Sequence, residues 1–171
     1  MAPLILLACA SEEPVVEACE TCDGDCEEAS FPVGAASHVE GEVDYEQVPP
    51  VGGDHAGCWA TWGVHDEAVP DETWVHNLEH GGVVFLWDCA DCEADVAALN
   101  EWVAALEQGS ALSTPYPEMD AAFAAVSWGH RLLLGCLDLD AFQAFYDANL
   151  DQSPEPGVRV EPTCGDTGET R

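Results

Sequence analysis

The chain has 171 residues and 47% hydrophobic content, which suits one domain with a core of ordinary size plus tails. It carries 34 Asp and Glu against three Lys and Arg, a formal net charge of -31. No nucleic acid is expected as a partner, because the chain has too few cations to neutralise phosphates. An anionic lipid surface would repel the body of the protein for the same reason.

Residues 1–9 are typical of a bacterial lipoprotein signal. A short apolar run ends at Cys9 and is followed by polar and acidic residues. The run cannot span a bilayer, which needs about 20 apolar residues. Leu6-Leu7-Ala8-Cys9 resembles the lipobox, a motif that implies cleavage before Cys9 and attachment of a lipid to its sulfur. The basic residues that usually precede such a run are missing. We expect an extracytoplasmic protein, in the periplasm or on the cell surface, with Cys9 as its membrane anchor.

The cysteine count supports an oxidising compartment. Nine cysteines are far more than a reduced compartment favours. They are Cys9, Cys19, Cys22, Cys26, Cys58, Cys89, Cys92, Cys136 and Cys164. Without Cys9, eight remain, an even number that can form four disulfides. The spacing Cys19-x2-Cys22-x3-Cys26 would also suit zinc or an iron–sulfur cluster, but local disulfides fit this compartment better.

We expect four segments along the chain. Residues 1–9 are the signal remnant and lipobox, and residues 10–37 are an acidic, cysteine-rich tether without apolar periodicity. Residues 38–156 form the folded domain, and residues 157–171 form a C-terminal tail. Within the domain, residues 45–71 contain many Pro and Gly, a composition that predicts a long ordered loop. Long loops inside compact domains are often functional.

The middle of the domain is predicted to alternate between strands and helices. The apolar run at 83–87 indicates a buried strand. Apolar residues at helical spacing then follow an acidic start, and Gly109 ends that helix. They are Val96, Leu99, Val103 and Leu106. Residues 112–117 indicate an extended piece, and residues 122–138 indicate a hairpin or bent strand.

A second helix is predicted near the end of the domain. Asp140 and Gln143 form a capping-box pattern. The apolar residues that follow at helical spacing are Phe142, Phe145, Tyr146 and Leu150. This order of elements predicts an α+β fold, a small mixed or antiparallel sheet with two main helices packed on one face and a long ordered N-terminal loop.

Residues 76–82 read His-Asn-Leu-Glu-His-Gly-Gly, the most unusual local sequence in the chain. On a helix, His76 and His80 lie on one face and could bind one metal ion. The pattern H-x-x-E-H is also that of inverzincin metalloproteases, in which the glutamate is the general base. Such an enzyme needs a sustained helix, whereas Gly81 and Gly82 end this one. The sequence therefore predicts no catalytic residue, and it favours a non-catalytic protein.

The chain resembles a known family over residues 38–156. The residues that carry the resemblance are His38-Val39, Tyr45, Pro49-Pro50, Gly53, His55, Trp62-Gly63-Val64, Pro70, the motif at 75–82, Trp128-Gly129 and Pro154-Glu155. They are similar to a widespread bacterial extracytoplasmic domain of unknown function, numbered three thousand one hundred and five. The resemblance implies a domain and a compartment but supplies no reaction. The chain departs from the family pattern at 51–54 and at His65, commonly a tyrosine, so His65 is a poor ligand candidate.

Histidines in motif positions predict a transition-metal site. The predicted ligands are His55, His76 and His80, with His38 or Glu79 completing the shell. Imidazole ligands suit copper, the first choice, or zinc. The alternative is a structural cluster of hydrogen-bonded histidines in a module that binds a protein partner.

Cys89-x-x-Cys92 follows the predicted strand and opens the first predicted helix, the position of the redox disulfide in thioredoxins. Thiol–disulfide exchange is therefore the alternative enzymatic function. The carboxylates of Asp88, Asp91 and Glu93 oppose it, because they would raise the pKa of a nearby thiol. A structural disulfide between Cys89 and Cys92 fits the compartment and the even count better.

Overall fold

A computed structural model of the chain describes residues 13–19, 21–117, 119–157 and 164. The strands are β1 (Val15–Ala18), β2 (Cys26–Ser30), β3 (His38–Val39), β4 (His55–Ala56), β5 (Gly63–Val64), β6 (Val83–Trp87), β7 (Ala111–Pro115), β8 (Phe123–Ser127) and β9 (His130–Leu134). The α-helices are α1 (Asp71–Glu79), α2 (Glu93–Ala105) and α3 (Leu139–Asn149). A mixed sheet with helices confirms the predicted α+β class.

Seven strands form the main sheet in the order β1-β2-β9-β8-β6-β7-β5. The strands β6, β7 and β5 are parallel, and the remaining neighbours are antiparallel. The segment β6-α2-β7 is therefore a parallel strand–helix–strand unit, and β8 and β9 form the predicted hairpin. A separate two-stranded sheet pairs β3 with β4 in parallel, which places His38 opposite His55.

Alternate residues of β6 point to opposite faces of the sheet, as the period of a strand requires. Val83 and Phe85 belong to the core that also contains buried residues of α2 and α3. Val84 and Leu86 belong to the second core, which contains buried residues of α1 and the loop before it. The prediction of two helices on one face is thus confirmed for α2 and α3, while α1 covers the opposite face.

The sequence did not identify α1 as a third main helix, and its burial explains why. Its residues from Thr73 to Leu78 are all buried, so polar and apolar side chains do not separate into two faces. At the other end of the domain, the side chain of Asp138 accepts a hydrogen bond from the amide of Ala141 at 2.9 Å. Asp138, not the predicted Asp140, is therefore the N-cap of α3.

Residues 13–30 differ from the predicted tether, because β1 and β2 extend the main sheet. β2 pairs with β9 along its length, and Arg131 donates to Glu27 across this pair at 2.9 Å. Only Ala29 of β2 is fully buried, so the strand lacks the apolar alternation by which it could be recognised. None of the helices in the described ranges has the length and apolar character needed to cross a bilayer.

The eight cysteines other than Cys9 are paired in four disulfides. They are Cys19–Cys26, Cys22–Cys136, Cys58–Cys164 and Cys89–Cys92. Two of these bonds join positions separated by 114 and 106 residues, which ties both ends of the described chain to the domain. Cys9 and the lipobox lie outside the described residues.

Candidate metal centre

Two short strands and one helix bring the predicted ligands together. The pairing of β3 with β4 places His38 beside His55. α1 packs against β4, and its last turn carries His76 and Glu79 towards the same point. Residues from three separated segments therefore meet at one site.

The end of α1 fixes where this last turn lies. Gly81 follows with a φ of 86°, a left-handed conformation that favours glycine. A β-carbon at Gly82 would overlap the ring of Trp62. Both glycines are therefore needed for the chain to leave the helix and enter β6 at once, as the sequence predicted for the end of this helix.

The first group of potential ligands consists of three imidazoles and one carboxylate. Its members are His38, His55, His76 and Glu79, and one ligand atom from each lies within 4.8 Å of all the others. Oε2 of Glu79 lies 3.1 Å from Nε2 of His55, 3.9 Å from Nε2 of His76 and 4.0 Å from Nε2 of His38. His55 and His76 are buried, and His38 is exposed at the rim.

Main-chain carbonyls orient the two buried imidazoles. Nδ1 of His55 lies 2.8 Å from the carbonyl oxygen of Gly53, and Nδ1 of His76 lies 2.8 Å from that of Ala56. A carbonyl only accepts hydrogen bonds, so Nδ1 carries the proton in both rings. In the neutral rings Nε2 therefore presents a lone pair. This arrangement is the one by which proteins orient histidine ligands of metals.

The electrostatics at His76 favour a neutral imidazole. Burial, followed by the nearby His55, lowers the pKa of His76 to about 3, which keeps the His76 ring in its metal-binding form at neutral pH. Nε2 of His55 is buried and has no hydrogen-bond partner among the described residues, although the Glu79 oxygen lies 3.1 Å away. In the neutral tautomer both atoms are acceptors, so a cation between them would remove their repulsion.

His80 does not join the first group of ligands. Its ring stacks on that of His76, with centroids 4.8 Å apart and planes inclined by 19°. The lone pairs of an imidazole lie in the plane of its ring, so stacked rings do not aim at an ion between them. His80 belongs instead to a second group, formed with Glu79 and Glu155. Burial lowers the pKa of His80, and the nearby Glu155 and Glu79 oppose that effect.

Glu155 was not predicted as a ligand, although the sequence resemblance reached it. It lies in an irregular segment after α3, where no periodicity marks it. Its amide donates to the carbonyl oxygen of Glu79 at 3.0 Å, and the hydroxyl of Ser153 donates to the same oxygen at 2.7 Å. These bonds fasten the C-terminal segment to the end of α1.

The two remaining histidines lie outside both groups. Nε2 of His65 is 2.7 Å from the carbonyl oxygen of Thr61, and His130 opens β9. The described part of the chain thus divides its six histidines into a group of three, the neighbouring His80, and two with no role at the site.

Comparisons with known proteins identify the family of the chain. No curated protein and no solved structure matches it. Residues 38–162 match the family described as protein of unknown function (DUF3105). This match covers most of the chain and begins at His38, the first histidine of the site. The chain therefore belongs to the DUF3105 family.

Proposed function

We propose that this protein is an extracytoplasmic lipoprotein that binds a copper or zinc ion. The ligands are His38, His55, His76 and Glu79. The single observation that carries the proposal is the contact between Nε2 of His55 and the Glu79 carboxylate. Two acceptors at 3.1 Å, one of them fully buried, make sense as a pair that shares a cation.

The ligand set suits a borderline transition metal. Imidazole nitrogen with one carboxylate oxygen is typical of zinc and copper sites, whereas calcium and magnesium prefer oxygen alone. Bonds of about 2.1 Å in tetrahedral geometry place ligand atoms roughly 3.4 Å apart. The observed separations from Oε2 of Glu79, 3.1 to 4.0 Å, bracket that value. The exposed ring of His38 can close the site by rotation.

The rest of the molecule supports this assignment. A net charge of -31 attracts cations to the surface and raises their local concentration. The disulfides favour a location outside the cytoplasm. A lipid on Cys9 would hold the domain at the membrane, so that the site is exposed to ions at the cell envelope.

Metal binding is tested with protein purified without a histidine tag. Zn²⁺ and Cu²⁺ are titrated separately in excess Mg²⁺, which saturates weak carboxylate sites. The wild type should bind one of these ions tightly, and His55→Asn and His76→Asn should each reduce that affinity at least about 100-fold. His130→Asn is the matched control and should bind as the wild type does. Equal binding by all four proteins, or no tight ion in any, would overturn the proposal in favour of a structural histidine cluster in a partner-binding module.

A second candidate function is thiol–disulfide exchange at Cys89–Cys92. The bond lies where β6 leads into α2 of the parallel strand–helix–strand unit, the position at which thioredoxin-like proteins carry their redox pair. A cleft of 390 Å³ lined by Trp87 and Val96 lies beside it. The carboxylates of Asp91 and Glu93 also line this cleft and disfavour a thiolate, so this candidate stands behind metal binding.

The exchange reaction needs a client with two thiols. One client thiolate attacks Sγ of Cys89, which forms a mixed disulfide and releases the Cys92 thiolate. The second client thiolate then resolves the mixed disulfide, and two electrons and two protons pass from the client to the cysteine pair. In Cys92→Ser, the free Cys89 thiol should form the mixed disulfide with an oxidised model peptide and retain it. Absence of this adduct, together with wild-type failure to oxidise a peptide dithiol, would eliminate the candidate.

A further inference from the structure

We infer that the centre holds a second metal ion, bound by His80 and Glu155 and bridged to the first ion by Glu79. This inference extends the proposed function, because it shares the Glu79 carboxylate with the first site. The three residues each offer a ligand atom within 4.8 Å of the others.

The buried ring of His80 is the observation that calls for a ligand. The residue is 6% exposed, and neither of its ring nitrogens makes a hydrogen bond of normal distance and angle within the described residues, although the main chain of Glu155 lies close enough to oppose the lowering of the His80 pKa. Leaving such a buried polar group unsatisfied is unfavourable, and a neutral imidazole has one acceptor nitrogen that needs a donor or an ion. Nδ1 of His80 lies 3.9 Å from Oε2 of Glu155, which is too far for a hydrogen bond. That distance fits two ligands on opposite sides of one cation.

The position of Glu155 is built into the fold. Its amide and the hydroxyl of Ser153 both donate to the carbonyl oxygen of Glu79, at 3.0 and 2.7 Å. The main chain of Glu155 is thus fixed against the residue that would bridge the ions. The side chain itself is 60% exposed, so a cation can enter from solvent and a water or anion can complete its shell.

Stacking of His76 on His80 suits two ions rather than one. Nearly parallel rings 4.8 Å apart direct their in-plane lone pairs side by side. Paired metal ions in proteins lie about 3.5 to 4 Å apart, commonly with a shared carboxylate. Among the described residues, Glu79 alone belongs to both ligand groups, so it is the residue in a position to bridge. With one imidazole and two carboxylates, the second position takes a divalent borderline ion, zinc or copper.

The test is metal stoichiometry in the full-length, tag-free protein with zinc and, separately, with copper. Wild type should bind two ions in excess Mg²⁺. Glu155→Gln should bind one, with the affinity of the first ion reduced less than about threefold. Glu28→Gln removes the same charge from the exposed face of β2 and should still bind two. The copper-loaded wild type should show an electron paramagnetic resonance spectrum broadened by coupling between neighbouring Cu²⁺ ions, and Glu155→Gln should show an isolated ion.

The outcomes separate the two proposals. One ion in wild type, bound equally by Glu155→Gln and lost in His55→Asn, overturns the second position and leaves the proposed function intact. One ion that survives His55→Asn but is lost in Glu155→Gln overturns the proposed ligand set and supports a site at His80 alone. No tightly bound ion overturns both. Two uncoupled copper ions that persist in Glu155→Gln overturn the bridged centre.

Discussion

Nε2 of His55 faces Oε2 of Glu79 at 3.1 Å while Nδ1 of the same ring is engaged by the Gly53 carbonyl. When the His55 ring is neutral and no metal is bound, the contact brings two acceptors together, whereas with the proposed metal ion bound the same atoms would be two ligands. The same pair therefore has opposite effects on folding and on binding. Substitutions at Glu79 should separate these effects.

Glu79→Gln should stabilise the metal-free protein by about 1 kcal/mol, because an amide can donate to Nε2 of His55. It should also reduce metal affinity at least about 10-fold, since a neutral amide is a weaker ligand than a carboxylate. Thermal unfolding with a chelator and with Zn²⁺ measures both changes. Glu28→Gln serves as the control. A variant that keeps the full zinc-induced rise in Tm would contradict the role of Glu79.

His38→Ala should affect binding without affecting folding. The ring is 58% exposed, and surface substitutions usually change stability by less than about 0.5 kcal/mol. Loss of one ligand should nevertheless weaken the first ion about 10- to 100-fold, by analogy with the cost of disturbing a metal shell. Urea unfolding of the metal-free protein measures the change in stability, and competition with a chromophoric chelator measures the change in metal affinity. Unchanged affinity would remove His38 from the ligand set.

Asp71→Asn should change the pH dependence of stability. Burial raises the pKa of Asp71 from 3.8 to about 6, even though Tyr116 donates a hydrogen bond to it. The folded state binds this proton more tightly, so the stabilising effect is present below pH 3.8 and is lost as the pH rises to about 6. The variant should match wild type near pH 3.5 and exceed it by about 2 kcal/mol at pH 7, after allowance for the favourable helix dipole.

Asp71→Asn must be compared with wild type at each pH, because His76 changes the free energy of unfolding with pH in the opposite direction. Its pKa is lowered to about 3, so protonation of the unfolded state destabilises the fold as the pH falls below 6.5. This contribution is common to both proteins and cancels in their difference. A pH-independent difference would show that Asp71 does not titrate as its burial requires.

The disulfides should differ in their contribution to stability. Replacing Cys22 and Cys136 by serine should lower the free energy of unfolding by about 4 kcal/mol, because that bond joins positions 114 residues apart. Replacing Cys89 and Cys92, three residues apart, should cost about 2 kcal/mol. Urea denaturation of the two double variants compares them directly. Equal losses would contradict an effect based on loop length.

The main elements of the fold could be predicted where apolar residues followed a regular period or formed an unbroken run. The strand β6, the helices α2 and α3, and the hairpin of β8 and β9 all showed such patterns. The helix α1 did not, because it is buried on nearly every side, and β2 did not, because Ala29 is its one fully buried residue. Apolar patterns therefore miss a buried helix that contains polar side chains and an edge strand with little burial.

The structure brings together three of the four predicted metal ligands in one group and places His80 in another. Helical spacing predicted that His76 and His80 lie on one face, and their rings do lie together. The rings are stacked, however, and belong to different groups of potential metal ligands. The pairing of His38 with His55 depends on two residues of parallel strand, which no local pattern reveals. The position of Glu155 depends on a long-range hydrogen bond from its amide to the carbonyl oxygen of Glu79, which no local pattern reveals.

The hydrogen bonds from His55 and His76 to main-chain carbonyls also determine which changes the protein can tolerate. Because main-chain carbonyls align these imidazoles, a substitution in the loop acts on the rings through the path of the backbone, and Gly52 is constrained because its φ is 143° and a β-carbon there would meet Val33. A substitution that keeps this path can therefore hold the same rings at the same angle. A loop of different sequence that keeps both Gly52 and Gly53 is thus compatible with the same candidate site.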